Sequence, residues 1–138
     1  MEKPKLLDLK VFAYEKICAE DYPENAHVYV EAECVDCGLV PFNVTVEHWN
    51  GDSPVAFHGI IWLQCSVCGR KKEYLSVLED GGKPNYFEQR RCKCDNPTFY
   101  IASCDRMERV EDANVFSEGV VVGKCSNCGA LQVIAMTG

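Results

Sequence analysis

Eight of the ten cysteines in this chain stand in four close pairs: Cys34-Val35-Asp36-Cys37-Gly38, Cys65-Ser66-Val67-Cys68-Gly69, Cys92-Lys93-Cys94 and Cys125-Ser126-Asn127-Cys128-Gly129. A tetrahedral metal site takes four thiolates or imidazoles, usually delivered as two such pairs. Four pairs therefore predict two sites.

The pairs lie inside a duplication. Shifted by 60 residues, the segment from Gly59 to Gly69 falls on the segment from Gly119 to Gly129, with both glycines, both cysteines and the serine matching. Upstream, a shift of 57 or 58 carries Cys34, Cys37 and Phe42 onto Cys92, Cys94 and Phe99. One repeat holds one N-terminal pair and one C-terminal pair. This predicts Cys34, Cys37, Cys65 and Cys68 on one metal and Cys92, Cys94, Cys125 and Cys128 on the other, with each repeat a packing unit of its own.

The 138 residues divide into an N-terminal segment, 1–26, a first repeat, 27–80, and a second, 81–138. Units this small are marginal on apolar burial alone and need a staple. Structural zinc supplies about 10–16 kcal/mol of apparent binding free energy per site in zinc-finger peptides, so two Zn²⁺ per chain are expected as part of the fold. The first residues, Met1 to Asp8, show no apolar h-region or small-residue cleavage site. That pattern predicts a cytoplasmic chain, with no membrane association, in which close cysteine pairs bind metal and do not form disulfides.

Period-two alternation and β-branched residues predict strands over 27–33, 42–49, 56–64, 72–78, 98–103, 115–122 and 131–136. Residues 105–114 read as a polar connection, 22–25 and 50–54 as turns, and 79–84 as the linker between repeats. Leu7, Val11, Tyr14 and Cys18 fall at helical spacing and predict a short helix over about 10–19; Leu7, Leu9, Val11 and Ala13 also alternate, so an extended start is the other reading. The fold class is mainly β.

In Cys-x-x-Cys-Gly a tight turn aims two thiolates at one point, and the glycine tolerates positive φ. On these motifs residues 28–136 resemble the zinc-ribbon class with rubredoxin-type knuckles. The resemblance implies tandem zinc ribbons and says little of biological role. The second repeat departs from the pattern at Cys92-Lys93-Cys94, which has one intervening residue and Asp95 for glycine. An extended segment puts residues i and i+2 on one face, so both thiolates can reach one ion, and Cys104 is the substitute ligand. Cys18 reads as a small buried thiol. Iron, the metal of rubredoxin electron carriers, is the rival to zinc.

Catalysis finds little support. His27, His48 and His58 form no metal-binding pattern, although His48 and His58 flank a turn and can face each other across it. The Cys-x-x-Cys motifs lack the βαβ context of thioredoxin-like redox sites. No nucleophile has an evident base. The chain reads as a non-enzymatic binding protein.

The formal charge is −7, and residues 1–80, with seven basic and fourteen acidic side chains, hold all of it. Acidity opposes contact with phosphate backbones and predicts a basic protein partner, a small inhibitor or immunity-type role being one concrete form. Trp49 is the candidate exposed anchor, whereas Trp62, in an apolar strand, is expected in the core. The alternative is nucleic-acid binding through Arg70-Lys71-Lys72 and Arg90-Arg91-Cys92-Lys93, with Tyr74, Tyr86 and Phe87 as stacking platforms.

Overall fold

The computed structural model describes residues 6–17, 26–50, 57–78, 80–111 and 113–137. Cys18, the turn expected at 22–25, all but the first residue of that at 50–54, and Glu79 lie outside them. The chain is mainly β, and its described residues form one helix, α1 (Leu7–Lys16), and eight strands, β1 (Ala26–Glu31), β2 (Phe42–Trp49), β3 (Gly59–Cys65), β4 (Lys71–Val77), β5 (Pro84–Gln89), β6 (Thr98–Val110), β7 (Ala113–Cys125) and β8 (Leu131–Thr137). Among the described residues no helix is long and apolar enough to cross a membrane.

All eight strands join one antiparallel sheet. Its main path runs β4-β3-β2-β6-β7-β8, with β1 added to β6 and β5 to β2. Each repeat supplies a three-stranded meander, β2-β3-β4 or β6-β7-β8. Where these meet, Phe42 pairs with Phe99, its own equivalent in the other repeat. A residue opposite its own copy is what a two-fold axis requires. The other pairings obey the same axis. Glu31 opposes Ala102 as Gln89 opposes Thr45. The amide of Ala32 donates to the Ile101 carbonyl at 2.8 Å, as that of Arg90 does to Val44 at 2.9 Å. Even the irregularities repeat: a register shift follows Ile61 on β3 and Val121 on β7.

Packing therefore crosses the repeat boundary. β1 opens the first repeat yet pairs with β6 of the second, and β5 opens the second yet pairs with β2 of the first. The result is two four-stranded halves, β4-β3-β2-β5 and β8-β7-β6-β1, each containing one strand of the other repeat.

The inner faces of both halves form one core. Phe42, Val44 and Val46 of β2 alternate inward, with Ile61 and Leu63 of β3, and meet Phe99, Ile101, Val121 and Ile134. The strands are β-branched and aromatic at those positions, which suits a pleated, packed surface. A second cluster lies on the outer face of β6 and β7, where Leu6, Leu9, Ala13 and Ile17 press on Ala102, Cys104, Val120 and Val122.

Several expectations are corrected. The helix begins at Leu7, and its buried stripe is Leu6, Leu9, Ala13 and Ile17; Leu7 and Val11 are exposed. The docking contacts fix that rotation. Asp8 pairs with Lys124 at 3.0 Å, and buried Arg106 donates to the Ile17 carbonyl at 3.1 Å while pairing with Glu118. Of the expected connection at 105–114, residue 112 lies outside the described residues, and 105–110 and 113–114 are arms of the β6–β7 hairpin, since pairing with β1 and β7 supplies partners that their polar sequence does not advertise. Strand β5, unmarked by alternation, runs through the end of the expected linker. Trp62 is half-buried on the outer face, because inward positions on β3 go to Ile61, Leu63 and Cys65.

Candidate metal centres

Both four-cysteine sets are assembled. The sulfurs of Cys34, Cys37, Cys65 and Cys68 lie within 4.8 Å of one another, as do those of Cys92, Cys94, Cys125 and Cys128. Resolved separations are 3.6 Å for Cys34–Cys68, 3.4 Å for Cys92–Cys128 and 3.6 Å for Cys94–Cys125. These exceed a disulfide's S–S length of about 2.05 Å. They approach the roughly 3.8 Å edge of a tetrahedron with metal–sulfur bonds of about 2.3 Å. Each group can hold a metal ion. Cys104 belongs to neither: it is buried under α1 among Ala102, Val120 and Val122, and burial pushes its thiol up to about 11.

The local chain explains the convergence. In the Cys65 turn the amides of Val67 and Cys68 both point at the Cys65 sulfur, at 3.4 Å, and the Gly69 amide closes on the Cys65 carbonyl at 3.0 Å. The Cys125 turn repeats this, with Asn127 and Cys128 amides at 3.4 Å from sulfur and Gly129 closing at 3.1 Å. Gly38, Gly69 and Gly129 all adopt φ of 79°, a conformation open to glycine at little cost.

The Cys92-Lys93-Cys94 pair is likewise a turn; it is not an extended segment. Asp95, at φ 71°, takes the glycine's place, and its amide closes on the Cys92 carbonyl at 2.8 Å. One residue fewer thus gives a tighter loop of the same handedness. Aspartate tolerates this region better than most residues, and Asp95 also meets Arg91.

Electrostatics distinguish the sulfurs. Burial pushes the Cys65 thiol up, but the Cys68 and Val67 amides outweigh it and bring it down to about 6. Cys125 also settles near 6: burial again opposes, overcome by the Cys128 and Asn127 amides and then the Asn96 side chain. Cys37 is pushed up to about 12 by burial and its neighbouring sulfurs. One anion already formed makes the next harder to form, and a divalent cation removes that conflict.

The second centre carries side-chain donors to sulfur that have no counterpart at the first among the described residues. The Asn96 side-chain amide donates to Cys125 sulfur at 3.4 Å, to the Thr98 carbonyl at 2.8 Å and to the Ser126 hydroxyl at 3.0 Å. The Asn127 amide reaches Cys94 sulfur at 3.7 Å; its equivalent in the first centre is Val67. These donors were not anticipated, although an Asn beside each cysteine pair was the available signal. The strand order β3-β2-β6-β7 separates Cys65 from Cys125 by three strand spacings, roughly 14 Å, so the centres are distinct.

The remaining candidates are dispersed. His48 stacks on Tyr86 at 4.4 Å and bonds Glu88 at 2.8 Å, facing neither metal group; the His58 carbonyl accepts from the Trp49 amide at 3.0 Å. Trp49 is half-buried with its indole N–H on Glu47. Several cations of the two basic clusters have partners within the chain, although Arg70, Lys71, Arg91 and Lys93 are exposed. Arg70 pairs with Asp36 at 2.7 Å, Lys71 lies over Trp62, Lys72 donates to the Glu33 carbonyl, and Arg90 is held on the carbonyls of Val133 and Ile134. Comparison with protein-family models, curated proteins and solved structures finds no match to this chain.

Proposed function

We propose that the chain is a non-catalytic binding protein with two structural zinc ions, recognising a basic protein through the outer face of its first half. Four cysteines per centre fill every position of a tetrahedral ion and leave none for water, which separates a structural site from a hydrolytic one. Two such sites in a duplicated β unit favour zinc over a single electron-transferring iron.

The observation that carries the binding reading is an asymmetry between the outer faces. On the second half that face is apolar and covered by α1. On the first, the equivalents of Ala102, Cys104 and Val122 are Thr45, Glu47 and Trp62, and no helix among the described residues covers them. Trp49, Trp62 and Phe87, the last 66% exposed, stand there among Glu47 and Glu73. Aromatic rings beside carboxylates suit lysine and arginine side chains by cation–π contact and charge. Arg90 is held on strand carbonyls within the fold and Arg70 is neutralised by Asp36, which weakens the nucleic-acid alternative because phosphate recognition rests on free cations.

The test has two parts. Elemental analysis should return two zinc ions per chain. Capture from the native host with wild-type bait should retrieve a basic protein that Trp62→Ala and Glu47→Lys baits lose, with association slowing as salt rises. Tight binding of random single-stranded oligonucleotides, or zinc-dependent turnover by homogeneous protein, would sink the reading.

A further inference from the structure

The two-fold axis allows each inner seam to be compared with its counterpart. On the β5–β2 seam, Glu88 has a histidine on one side and an arginine on the other. His48 bonds it at 2.8 Å, and Arg90 approaches it while donating to the Val133 and Ile134 carbonyls at 3.2 and 3.1 Å. Tyr86 stacks on His48, and Phe57 packs edge-on to the same ring. Carboxylate, cation and apolar cover are all present.

The β1–β6 seam has the carboxylate and lacks the rest. Asp105 stands where His48 does, and Val28, Val30 and Ala32 replace Tyr86, Glu88 and Arg90. A cavity of about 460 Å³ opens there, lined by Val30, Tyr74, Val77, Asp105, Phe116 and Thr137 among others. Its apolar rim is uncovered: Val28 is 49%, Val30 53% and Phe116 46% exposed. Gly119 opposes Asp105, and a methyl group there would lie 2.5 Å from a carboxylate oxygen, so the glycine keeps room for that side chain. Among the described side chains no cation lies within ion-pair distance of Asp105, and burial raises its carboxyl above the usual range.

We infer that this cavity binds a guanidinium or primary ammonium group carried on an apolar stem. Asp105 takes the cation, and Val30, Val77 and Phe116 cover the stem. Arg90 is the internal template: an arginine already occupies the corresponding seam and satisfies strand carbonyls there. The counterparts of those carbonyls are Glu73 and Tyr74 on β4, across from Ala32. The site lies on the inner seam and is separate from the outer aromatic face, so either proposal can fail without the other.

Titration of the zinc-loaded protein with n-butylguanidinium, n-butylammonium and neutral n-butylurea, followed by amide NMR, tests it. The cations should shift the resonances of Val30, Ser103, Asp105, Val121 and Thr137 and bind at least about tenfold tighter than the urea, as a charge-assisted bond implies. Asp105→Asn, nearly isosteric, should bring the cations down to the level of the urea while leaving zinc content and melting temperature unchanged. Ala32→Arg should fill the seam from within and abolish binding. N-acetyl-arginine methylamide identifies the source: binding tighter than butylguanidinium assigns the site to an arginine of a protein, and weaker binding to a free guanidine or amine. Shifts absent or scattered, equal affinity for urea and cation, or an Asp105→Asn variant that still prefers the cation would overturn the inference.

Discussion

Replacing Phe99 by alanine should destabilise the first repeat although Phe99 belongs to the second. Its side chain is fully buried and stands opposite Phe42 at the junction of the meanders. Deleting a buried phenylalanine ring costs about 3–5 kcal/mol. For a chain of this length, with unfolding entropy of about 2.1 cal/mol/K per residue, that lowers the melting temperature by about 10–17 °C. Both tryptophans, Trp49 and Trp62, precede residue 80, so selectively excited tryptophan fluorescence reports the first half, and hydrogen exchange of the Val120 and Val122 amides reports β7. Because β1 and β5 are exchanged and the core is shared, both probes should shift together in metal-saturated protein. Phe42→Ala should produce the same joint shift. The double variant should lose less than the sum, since the rings face each other. A tryptophan transition that stays in place in Phe99→Ala would refute the reasoning and make the repeats independent.

Cys68→Ser and Cys128→Ser should each retain one metal ion by elemental analysis, whereas Cys104→Ala should retain both and lose only stability, by about 1 kcal/mol. Asn96→Ala should make the second centre give up its metal to a chelator before the first, reversing any order seen in wild type, because it removes a donor to Cys125. Asp95→Gly should raise stability by about 1 kcal/mol, read by denaturant midpoint, since glycine adopts a φ of 71° without the Cβ penalty; the exposed pairing with Arg91 that it deletes is worth less. Gly59→Ala should prevent folding at moderate temperature, because its Cβ would collide with the Glu47 carbonyl, and circular dichroism should show the loss.

The metal groups were legible because cysteine spacing and a duplication both survive in linear sequence. Strands with strict alternation, such as β2, were equally plain. The failures share a cause: they depend on what lies alongside. Pro84 to Gln89 carries no period-two pattern and is mostly exposed, so only the open edge of β2 makes it a strand. The charged run after Ser103 is a strand because β1 and β7 pair with it. Trp62 is apolar in an apolar run, but its face of the sheet is the one that no helix among the described residues covers. The spacing of Leu7 and Val11 marked a helix correctly and its orientation wrongly, since Asp8 and Arg106 set the rotation through contacts more than a hundred and nearly ninety residues away in sequence. The exchange of β1 and β5 leaves no trace in periodicity, because alternation records a face and not a partner.

That exchange also bears on descent. Two identical chains of one repeat, each lending its first strand to the other, would make the same pairings as a symmetric homodimer. In such a pair every substitution appears twice, and the two faces and two seams must remain alike. Joined through the short stretch between β4 and β5, the copies become free to differ. One seam can be sealed by Arg90 while the other stays open at Asp105, and one outer face can acquire a helix while the other keeps its tryptophans beside Glu47 and Lys71. The covalent link turns a two-fold object into one with a front and a back.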